Sequence, residues 1–498
     1  MAHSSSSPDY DAVVIGSGPN GLAGALRLAE CGWRVLVLEA AEKPGGGLRT
    51  EERTFPGFHH DVCSAVHPLA ICSPWLSSLP LEKHGLEWVH PDLPVAHPLG
   101  GSEAVGHERD LDAMKEEVGE SDGRTCRRWY ESLLANGEGF FRDVLSPVTK
   151  VPPGHPFLMA KFGLKALQPA SFLIRSQFKG TRARSLFAGH AAHSILPLEQ
   201  PMTGAYAFML GLSCHHAGWP IARGGSQTIA EAMIALLEEK QGEVVTGQRV
   251  VSIDALPSAS AYLFDTSPLA MSRIVGRRFP AAYHRRLERF SYGPAAYKVD
   301  LALSEPIPWS APECRRAGTV HVGGTMEEIA RSEREAWKGR FGSKPFVLLS
   351  QPTVFDPTRA PTGRHIAWAY CHVPHGWRGN ATEGILSQIE RFAPGFRDTI
   401  LACESMTPGD FENHNANYIG GDIVGGSQHW AQAVFRPIVK WDPYRTPDDQ
   451  VFLCSSSTPP GAGVHGMCGF HAAESVLRRY GGPSRRADGT GVATRPLS

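Results

Sequence analysis

The sequence lacks the cysteine and histidine spacings that are typical of redox-disulfide and zinc proteins. Ten cysteines are spread along the chain, and no two form a CxxC pair. We therefore expect neither a thioredoxin-like dithiol nor a zinc ribbon. His215 and His216 are adjacent, but no third ligand follows at metal-binding spacing. The sequence predicts free thiols, as in a reducing compartment, and no metal site.

The chain also lacks an excess of charge of either sign. It has 49 Lys plus Arg residues and 50 Asp plus Glu residues, whereas a nucleic-acid-binding protein normally has a strong basic excess. No run of about 18 apolar residues, the length of a spanning helix, is present. Residues 1–8 are rich in serine and have no apolar segment, so we expect no signal peptide. These absences predict a cytoplasmic protein that does not bind nucleic acid.

One segment departs from this balance of charge. Residues 144–198 contain seven Lys or Arg residues and no Asp or Glu. Aromatic residues such as Phe157 and Phe172 lie among them. A basic, aromatic surface can bind an anionic membrane peripherally and admit a lipophilic substrate. A helical cap packed on the rest of the protein, with solvated basic residues, is the alternative interpretation.

The N-terminal region of the sequence predicts a dinucleotide site. A buried strand is expected at residues 10–15, and a helix follows from about residue 20. Gly16, Gly18 and Gly21 stand between them. In this pattern the first glycine permits a tight turn, the second lets the backbone approach a pyrophosphate, and the third lets the helix pack on the strand. The helix N-terminus then offers N–H groups to the phosphates.

The residues after the second strand distinguish FAD from nicotinamide cofactors. Glu39 ends that strand, where a carboxylate accepts hydrogen bonds from ribose hydroxyls and disfavours the 2′-phosphate of NADP. The run Gly45–Gly47 follows and lets the backbone pass beside the phosphates toward a flavin. A flexible loop is the alternative interpretation of the run alone. Together these features predict FAD.

A second glycine-rich turn stands near the C-terminus. Residues 459–466 read PPGAGVHG and precede a predicted helix. Small residues here let backbone N–H groups lie against a flat ring, and a helix N-terminus stabilises negative charge on a reduced flavin. His465 is our candidate catalytic residue because it lies beside this turn. A glycine-rich helix cap, with a histidine that satisfies backbone groups, is the alternative.

These motifs resemble, in this order, those of the phytoene desaturase-type FAD-dependent oxidoreductases. The matching stretches are GSGPNGLAGA (16–25), LEAAEKPGGG (38–47), TEERTFPGFHHD (50–61) and TPPGAGVHGMCGFHAA (458–473). Within the family the sequence looks nearest to the branch of pyridine nucleotide-disulphide oxidoreductase domain-containing protein 2. The run GGGLRT replaces the GGR of many relatives, so we do not assign Arg49 to the phosphates.

The resemblance implies an α/β fold with a discontinuous Rossmann-type FAD-binding domain, as in glutathione reductase and amine oxidases. A mixed-sheet substrate domain and a helical cap complete it. The predicted organisation is a disordered N-terminus (1–9), a first FAD-binding segment (10–90), a helical cap or substrate region (91–215), a second FAD-binding segment (216–275), a substrate-binding domain (276–440), a third FAD-binding segment (441–480) and a flexible tail (481–498).

The resemblance also implies roles for particular residues. The pyrophosphate and ribose would meet Gly18, Gly21, Glu39 and Gly46, and the adenine would meet the backbone of Val250. The isoalloxazine would lie near Gly463 and Val464. The full set of predicted cofactor-binding residues is Gly16, Gly18, Pro19, Asn20, Gly21, Glu39, Ala40, Gly45, Gly46, Gly47, Val250, Gly463 and Val464.

The expected function is that of an FAD-dependent oxidoreductase which takes a hydride from a small apolar substrate, such as an isoprenoid or another lipid. A flavin amine oxidase of the same fold is one alternative. A non-redox lipid-binding or regulatory flavoprotein is another. The sequence does not specify the electron acceptor or the oligomeric state.

Overall fold

The computed structural model describes residues 8–150 and 152–481. Most of the predicted disordered N-terminus (1–9) and flexible tail (481–498) lies outside the described residues. The strands are β1 (Tyr10–Ile15), β2 (Val35–Leu38), β3 (Thr50–Glu52), β4 (His59–Asp61), β5 (Trp88–Val89), β6 (Leu93–Gly100), β7 (Glu103–His107), β8 (Ile221–Ala222), β9 (Glu243–Val245), β10 (Ala259–Phe264), β11 (Ala295–Leu303), β12 (Ala317–Val322), β13 (Val347–Ser350), β14 (His365–Val373), β15 (Ile400–Met406) and β16 (Val451–Leu453).

The helices are α1 (Pro19–Glu30), α2 (Pro68–Cys72), α3 (Ala113–Val118), α4 (Glu120–Leu134), α5 (Gly137–Val144), α6 (Pro156–Ala166), α7 (Ala170–Gln177), α8 (Thr181–Ala192), α9 (Thr203–His216), α10 (Gln227–Glu239), α11 (Pro268–Val275), α12 (Ala281–Leu287), α13 (Pro312–Arg316), α14 (Met326–Trp337), α15 (Thr382–Phe392), α16 (Pro408–His414), α17 (Trp430–Val434) and α18 (Met467–Tyr480). None of those in the described ranges combines the length and the hydropathy needed to cross a bilayer.

Five strands form a sheet in the order β16-β10-β1-β2-β9, and every neighbouring pair is parallel. Strand β1 is central because its residues 12–14 are apolar and fully buried. The strands come from three distant stretches of the chain, near residues 10–38, 243–264 and 451–453. Carboxyl ends of parallel strands share one edge of the sheet, so the turns that follow these stretches meet there.

The two ends of the chain are held together by a close helix crossing. Helix α1 begins at Pro19, which suits the first helical position because its φ is fixed and its missing N–H is not needed there. Helix α18 crosses α1 at Gly469, where an added Cβ would lie 1.8 Å from the carbonyl oxygen of Asn20. The two backbones therefore almost touch, and the C-terminal glycine turn is fixed beside the N-terminal one.

Seven strands form a second, mixed sheet in the order β15-β11-β14-β13-β12-β6-β7. Its pairs are antiparallel except β12 with β6. Helices α3 to α9 form a cap with an aromatic core, in which Trp129, Phe178, Phe187 and Phe208 are fully buried. Together these units confirm the predicted fold class: a Rossmann-type parallel sheet, a mixed sheet and a helical cap. The domain boundaries stay predictions.

Candidate functional site

A large cavity of about 850 Å³ lies where the carboxyl edge of the parallel sheet faces the mixed sheet and the cap. Most of the predicted cofactor residues line it: Gly16, Gly18, Pro19, Asn20, Glu39, Ala40, Gly46, Gly47, Val250, Gly463 and Val464. The candidate catalytic residue His465 lines it as well. Gly21 and Gly45 do not; they pack behind the wall, Gly21 against Gly16 and Gly45 against Ala230.

The glycine turn after β1 has no room for side chains. Gly16 has a φ of +101°, a conformation that favours glycine. A Cβ at Gly21 would lie only 2.1 Å from the carbonyl oxygen of Gly16. A Cβ at Gly46 would lie 3.0 Å from the Cα of Gly18, so the two predicted glycine stretches touch each other. They form a bare backbone wall that a phosphate can approach closely.

Glu39 is held rigidly at the end of β2. One of its carboxylate oxygens, Oε2, accepts from the amide (2.9 Å) and the hydroxyl (2.7 Å) of Ser17, and Oε1 accepts from the amide of Ala41 (2.9 Å). The amide of Gly45 in turn donates to the Ser17 hydroxyl at 3.1 Å. These bonds orient the carboxylate on the cavity wall, in the position from which such an acid binds a ribose.

Asp265 is a second acid at the same turn, and the sequence prediction gave it no role. It follows β10, and its Oδ2 accepts from the amide of Gly21 at 2.8 Å. Burial, together with the charge of Glu39, raises the pKa of Asp265 to about 7 against the hydrogen bonds from the amides of Gly21 and Gly18. The carboxyl group is thus poised to change protonation near neutral pH.

His465 is 1% exposed and forms part of the cavity wall. Its Nδ1 accepts from the amide of Met467 at 3.0 Å, so the ring proton is on Nε2. Nε2 has no partner among the described residues. Burial lowers the pKa of His465 to about 4. The ring is therefore neutral at physiological pH, and its Nε2–H is a buried hydrogen-bond donor beside Gly463 rather than a general acid.

The region of the cavity away from the glycine turn is mostly apolar. The aromatic and aliphatic residues that line this region include Val66, Leu69, Leu145, Ile195, Met209, Leu210, Trp219, Leu348, Trp368 and Tyr370. The rings of Trp368 and Tyr370 are 5.0 Å apart at 64°. The only acids among the described lining residues are Glu39 and Asp265, both at the dinucleotide turn. This end suits a neutral, apolar molecule and gives a cationic one no counter-ion.

Comparison with known proteins supports this geometry. Residues 14–73 match the NAD(P)-binding Rossmann-like domain family. The chain is 24% identical to pyridine nucleotide-disulfide oxidoreductase domain-containing protein 2 of Mus musculus, over 95% of this chain and 94% of the relative. It is 23% identical to a lycopene-forming phytoene desaturase of Paracoccus sp., over 92% of this chain and 95% of the relative.

The chain is an oxidoreductase homologous to the phytoene desaturases. These relatives confirm the family resemblance that the sequence motifs carry. Solved structures show the same fold at low identity: an oxidoreductase from Methanosarcina mazei has a TM-score of 0.61 at 16% identity, covering 94% of this chain and 99% of its own. Putrescine oxidase bound to putrescine has a TM-score of 0.60 at 16% identity, with the same coverage.

This oxidoreductase also has a buried histidine cluster that the sequence did not reveal. Nδ1 of His215 lies 2.9 Å from the carbonyl oxygen of Arg109 and donates to it. Since a neutral imidazole has one donor and one acceptor, Nε2 of His215 accepts from Nε2 of His107 (3.1 Å), and Nδ1 of His107 accepts from Nε2 of His190 (2.8 Å). Ligand atoms of His107, His190 and Cys214 lie within 4.8 Å of one another. Burial lowers the pKa of His107 and of His190, and it raises the pKa of the Cys214 thiol.

Hydrogen bonds between neutral groups therefore account for this cluster. The prediction of no metal site considered only the adjacent pair His215 and His216. The sequence does not show that β7 and α8 pack against α9 and bring His107 and His190 close to Cys214. That prediction stays a prediction. Asp265 had a weak sequence signal, since an acid that directly follows a strand parallel to β1 reaches the dinucleotide edge.

Proposed function

We propose that the protein is an FAD-dependent dehydrogenase or desaturase that acts on an apolar substrate, such as an isoprenoid or another lipid. The observation that carries the proposal is the large cavity, which combines a glycine-walled dinucleotide end with an apolar end without acids. When bound, FAD supplies a ring that accepts a hydride from a C–H bond. The chain supplies the binding groups and the dry surroundings.

The residues present fit FAD at both ends of the cavity. The contact between Gly18 and Gly46 leaves a backbone cradle that any Cβ would fill. Glu39 offers fixed carboxylate oxygens for a ribose, and the N-terminus of α1 offers its partial positive charge to a pyrophosphate, while the amide of Gly21 is bonded to Asp265. Gly463 has a φ of +124°, which favours glycine and keeps that wall flat. Binding of a nicotinamide cofactor alone would not explain why both glycine turns line the same cavity.

Three groups of residues have tasks in the proposed reaction. Glu39 holds the cofactor through its ribose. Trp368 and Tyr370 orient a flat apolar substrate and exclude water. His465 holds a buried Nε2–H beside Gly463, from which a fixed donor would stabilise negative charge as it develops on a bound ring.

An amine oxidase is the second candidate, favoured by the aromatic pair Trp368 and Tyr370 and by the fold shared with putrescine oxidase. It is disfavoured because the apolar end has no carboxylate, among the described lining residues, for an ammonium group. A non-redox lipid-binding or regulatory flavoprotein would use the same cavity without turnover.

The test is anaerobic reduction of the purified protein's flavin, followed by visible absorption. We expect bleaching by an acyclic polyene in detergent micelles and none by an aliphatic diamine. Bleaching by the diamine alone would establish the amine oxidase. A protein that keeps its flavin but is bleached by neither class would point to the non-redox alternative. A colourless protein that releases no flavin on denaturation would overturn the cofactor assignment.

The donor role of His465 has a separate test. His465→Asn should retain flavin, yet its reduction should slow by about 10-fold or more, because one fixed donor to a developing charge is lost. His471→Asn is the matched control: His471 is half-buried in the next helical turn and donates to the carbonyl oxygen of Leu145 but does not line the cavity. Equal slowing in both variants would refute the role.

A further inference from the structure

Helices α6 and α7 present an apolar face to solvent. Phe157 is 89% exposed, Leu164 74%, Leu167 62% and Phe172 63%. Residues 157, 164 and 167 follow one helical face at spacings of seven and three. The opposite face of α6 also carries apolar residues, Phe162 and Ala166, which are buried. A helix on the surface of a water-soluble protein normally has polar residues on its outer side. The exposed apolar side of α6 therefore indicates a binding surface.

A second group of exposed apolar side chains lies near the start of the acid-free segment 144–198. Residues 147–149 and several residues between 434 and 440 line one shallow groove. Val148, Phe435 and Val439 are 54%, 45% and 71% exposed, and Trp441 next to them is 78% exposed. Exposed tryptophan beside aliphatic residues is typical of a membrane–water interface, where the ring has one apolar and one polar side.

The charges around the α6–α7 face are basic. Among the seven basic residues of 144–198, Arg175 is paired with Glu327 and Arg182 with Glu117. Four lysines have no acidic partner in the described part of the chain: Lys150, Lys161, Lys165 and Lys179. Lys150 and Lys179 are exposed and can extend their ammonium groups toward lipid headgroups. The ammonium of Lys161 instead donates to the Ser132 hydroxyl, and that of Lys165 lies 5.9 Å from the ring centre of Trp129. An anionic bilayer complements both the charge and the apolar side chains.

We propose that the α6–α7 face docks the protein on an anionic lipid bilayer, with Phe157, Leu164, Leu167 and Phe172 among the acyl chains and the exposed lysines at the headgroups. A second copy of the chain is a poorer occupant, because a twofold contact brings identical faces together and places lysines against lysines. The docking does not depend on the proposed reaction.

The position of the face relative to the cavity gives the docking a consequence. Helix α6 packs on α9, and Tyr206, Met209 and Leu210 of α9 line the apolar end of the cavity. Leu145, from the same acid-free segment, lines it too. The docked face is thus one helix away from the apolar end, and a lipophilic molecule would have only a short distance to travel from the bilayer.

The experiment is co-sedimentation of the full-length protein with phosphatidylcholine vesicles, with and without phosphatidylserine, at low and high salt. We expect binding to the serine-containing vesicles that weakens with salt. The double variant Phe157→Ser/Leu164→Ser should bind at least about 10-fold more weakly. Lys150→Gln/Lys179→Gln, which removes the two exposed lysines, should weaken the preference for anionic vesicles. Leu401→Ser, which removes an exposed leucine (43%) from β15 in the mixed sheet, should bind like the wild type.

Two results would overturn the proposal. One is absence of binding to anionic vesicles at low salt by folded wild-type protein. The other is a wild-type dimer, seen by light scattering, that the Phe157→Ser/Leu164→Ser variant converts to monomer while vesicle binding is absent. Thermal unfolding confirms that each variant is folded. Because no turnover is measured, this test and the flavin-reduction test succeed or fail separately.

Discussion

Two acids at one glycine turn have different surroundings. Glu39 accepts three hydrogen bonds from Ser17 and Ala41, which fix the position of its carboxylate. Asp265 is half-buried at the same turn, and desolvation and the neighbouring Glu39 both favour its neutral form. The two carboxyl groups therefore suit different tasks in the proposed site: Glu39 as a fixed acceptor for a ribose, and Asp265 as a group that takes up a proton when a pyrophosphate binds.

Replacement of Glu39 tests its role in cofactor binding. Glu39→Ala removes the charged acceptor for the ribose, and hydrogen bonds to charged groups contribute about 1.5–3 kcal/mol. We expect FAD to bind roughly 10- to 100-fold more weakly, as measured by titration of flavin fluorescence. Glu42→Ala, three residues later and exposed, is the control and should bind FAD normally. Unchanged affinity in Glu39→Ala would exclude this carboxylate from the site.

Asp265 predicts a pH dependence of cofactor affinity. Its pKa is raised to about 7, mainly by burial, and a bound pyrophosphate would raise it further. FAD binding therefore takes up a proton, and the affinity falls as the pH rises above about 7, by at most about tenfold per pH unit. Titrations across this range should show the decline, and Asp265→Asn should abolish it. The same slope in the variant would contradict the assignment.

At the scale of single elements, glycines serve two different purposes. In the turn between β1 and α1 they allow backbone contacts that no side chain permits, as at Gly21. In α6, Gly163 has no neighbour within 4 Å of an added Cβ, so nothing in the packing requires a glycine there. The first is a packing requirement, whereas the second costs helix stability through the entropy of the unfolded chain.

These two glycines make a matched pair for stability measurements. Gly21→Ala inserts a methyl group between the carbonyl oxygen of Gly16 and Asp265, and overpacking of this kind costs about 1–3 kcal/mol. Gly163→Ala should instead raise the free energy of unfolding by about 0.5–1 kcal/mol. Urea unfolding measures both. A destabilised Gly163→Ala protein would show that α6 packs more tightly on its outer side than the structure indicates.

At the scale of the whole molecule, buried neutral histidines link the cap, the mixed sheet and the cavity. The His193 side chain lines the cavity, and its Nε2 lies 3.0 Å from Nε2 of His321 on β12. Burial lowers the pKa of six histidines to about 4: His67, His97, His215, His414, His465 and His471. It lowers the pKa of His193 to about 3 and holds the pKa of His107, His190 and His321 well below the usual range.

These histidines predict an early loss of stability in mild acid. In the unfolded chain they take up protons below a pH of about 6.5, whereas in the folded protein they stay neutral. Stability is therefore complete above that pH and falls as the pH drops toward 4, by up to about 1.4 kcal/mol per pH unit for each histidine. Urea unfolding between about pH 7 and 5, above the range where most carboxylates titrate, should show a decrease of several kcal/mol. A constant unfolding free energy would contradict the neutral assignment.

The sequence by itself determined those features of this protein that rest on local patterns. The strand, the Gly16–Gly21 turn, the helix and Glu39 are close in sequence and follow backbone rules, so the first βαβ unit and most of its cavity-lining residues could be predicted. The second glycine turn, 459–466, was recognisable for the same reason. The likeness of both turns to those of one family indicated that they serve the same cofactor.

Only the tertiary structure decided which distant residues meet. The sequence carries only a weak signal for the contact of Asp265 with Gly21 and none for that of His107 with His190 and His215, since these contacts depend on strand order and helix packing. It likewise could not separate a solvated basic cap from an apolar docking face, because composition does not say which side of a helix is buried. Burial on one side of α6 and exposure of Phe157 and Leu164 on the other show that its outer face is apolar, which is the observation behind the docking proposal.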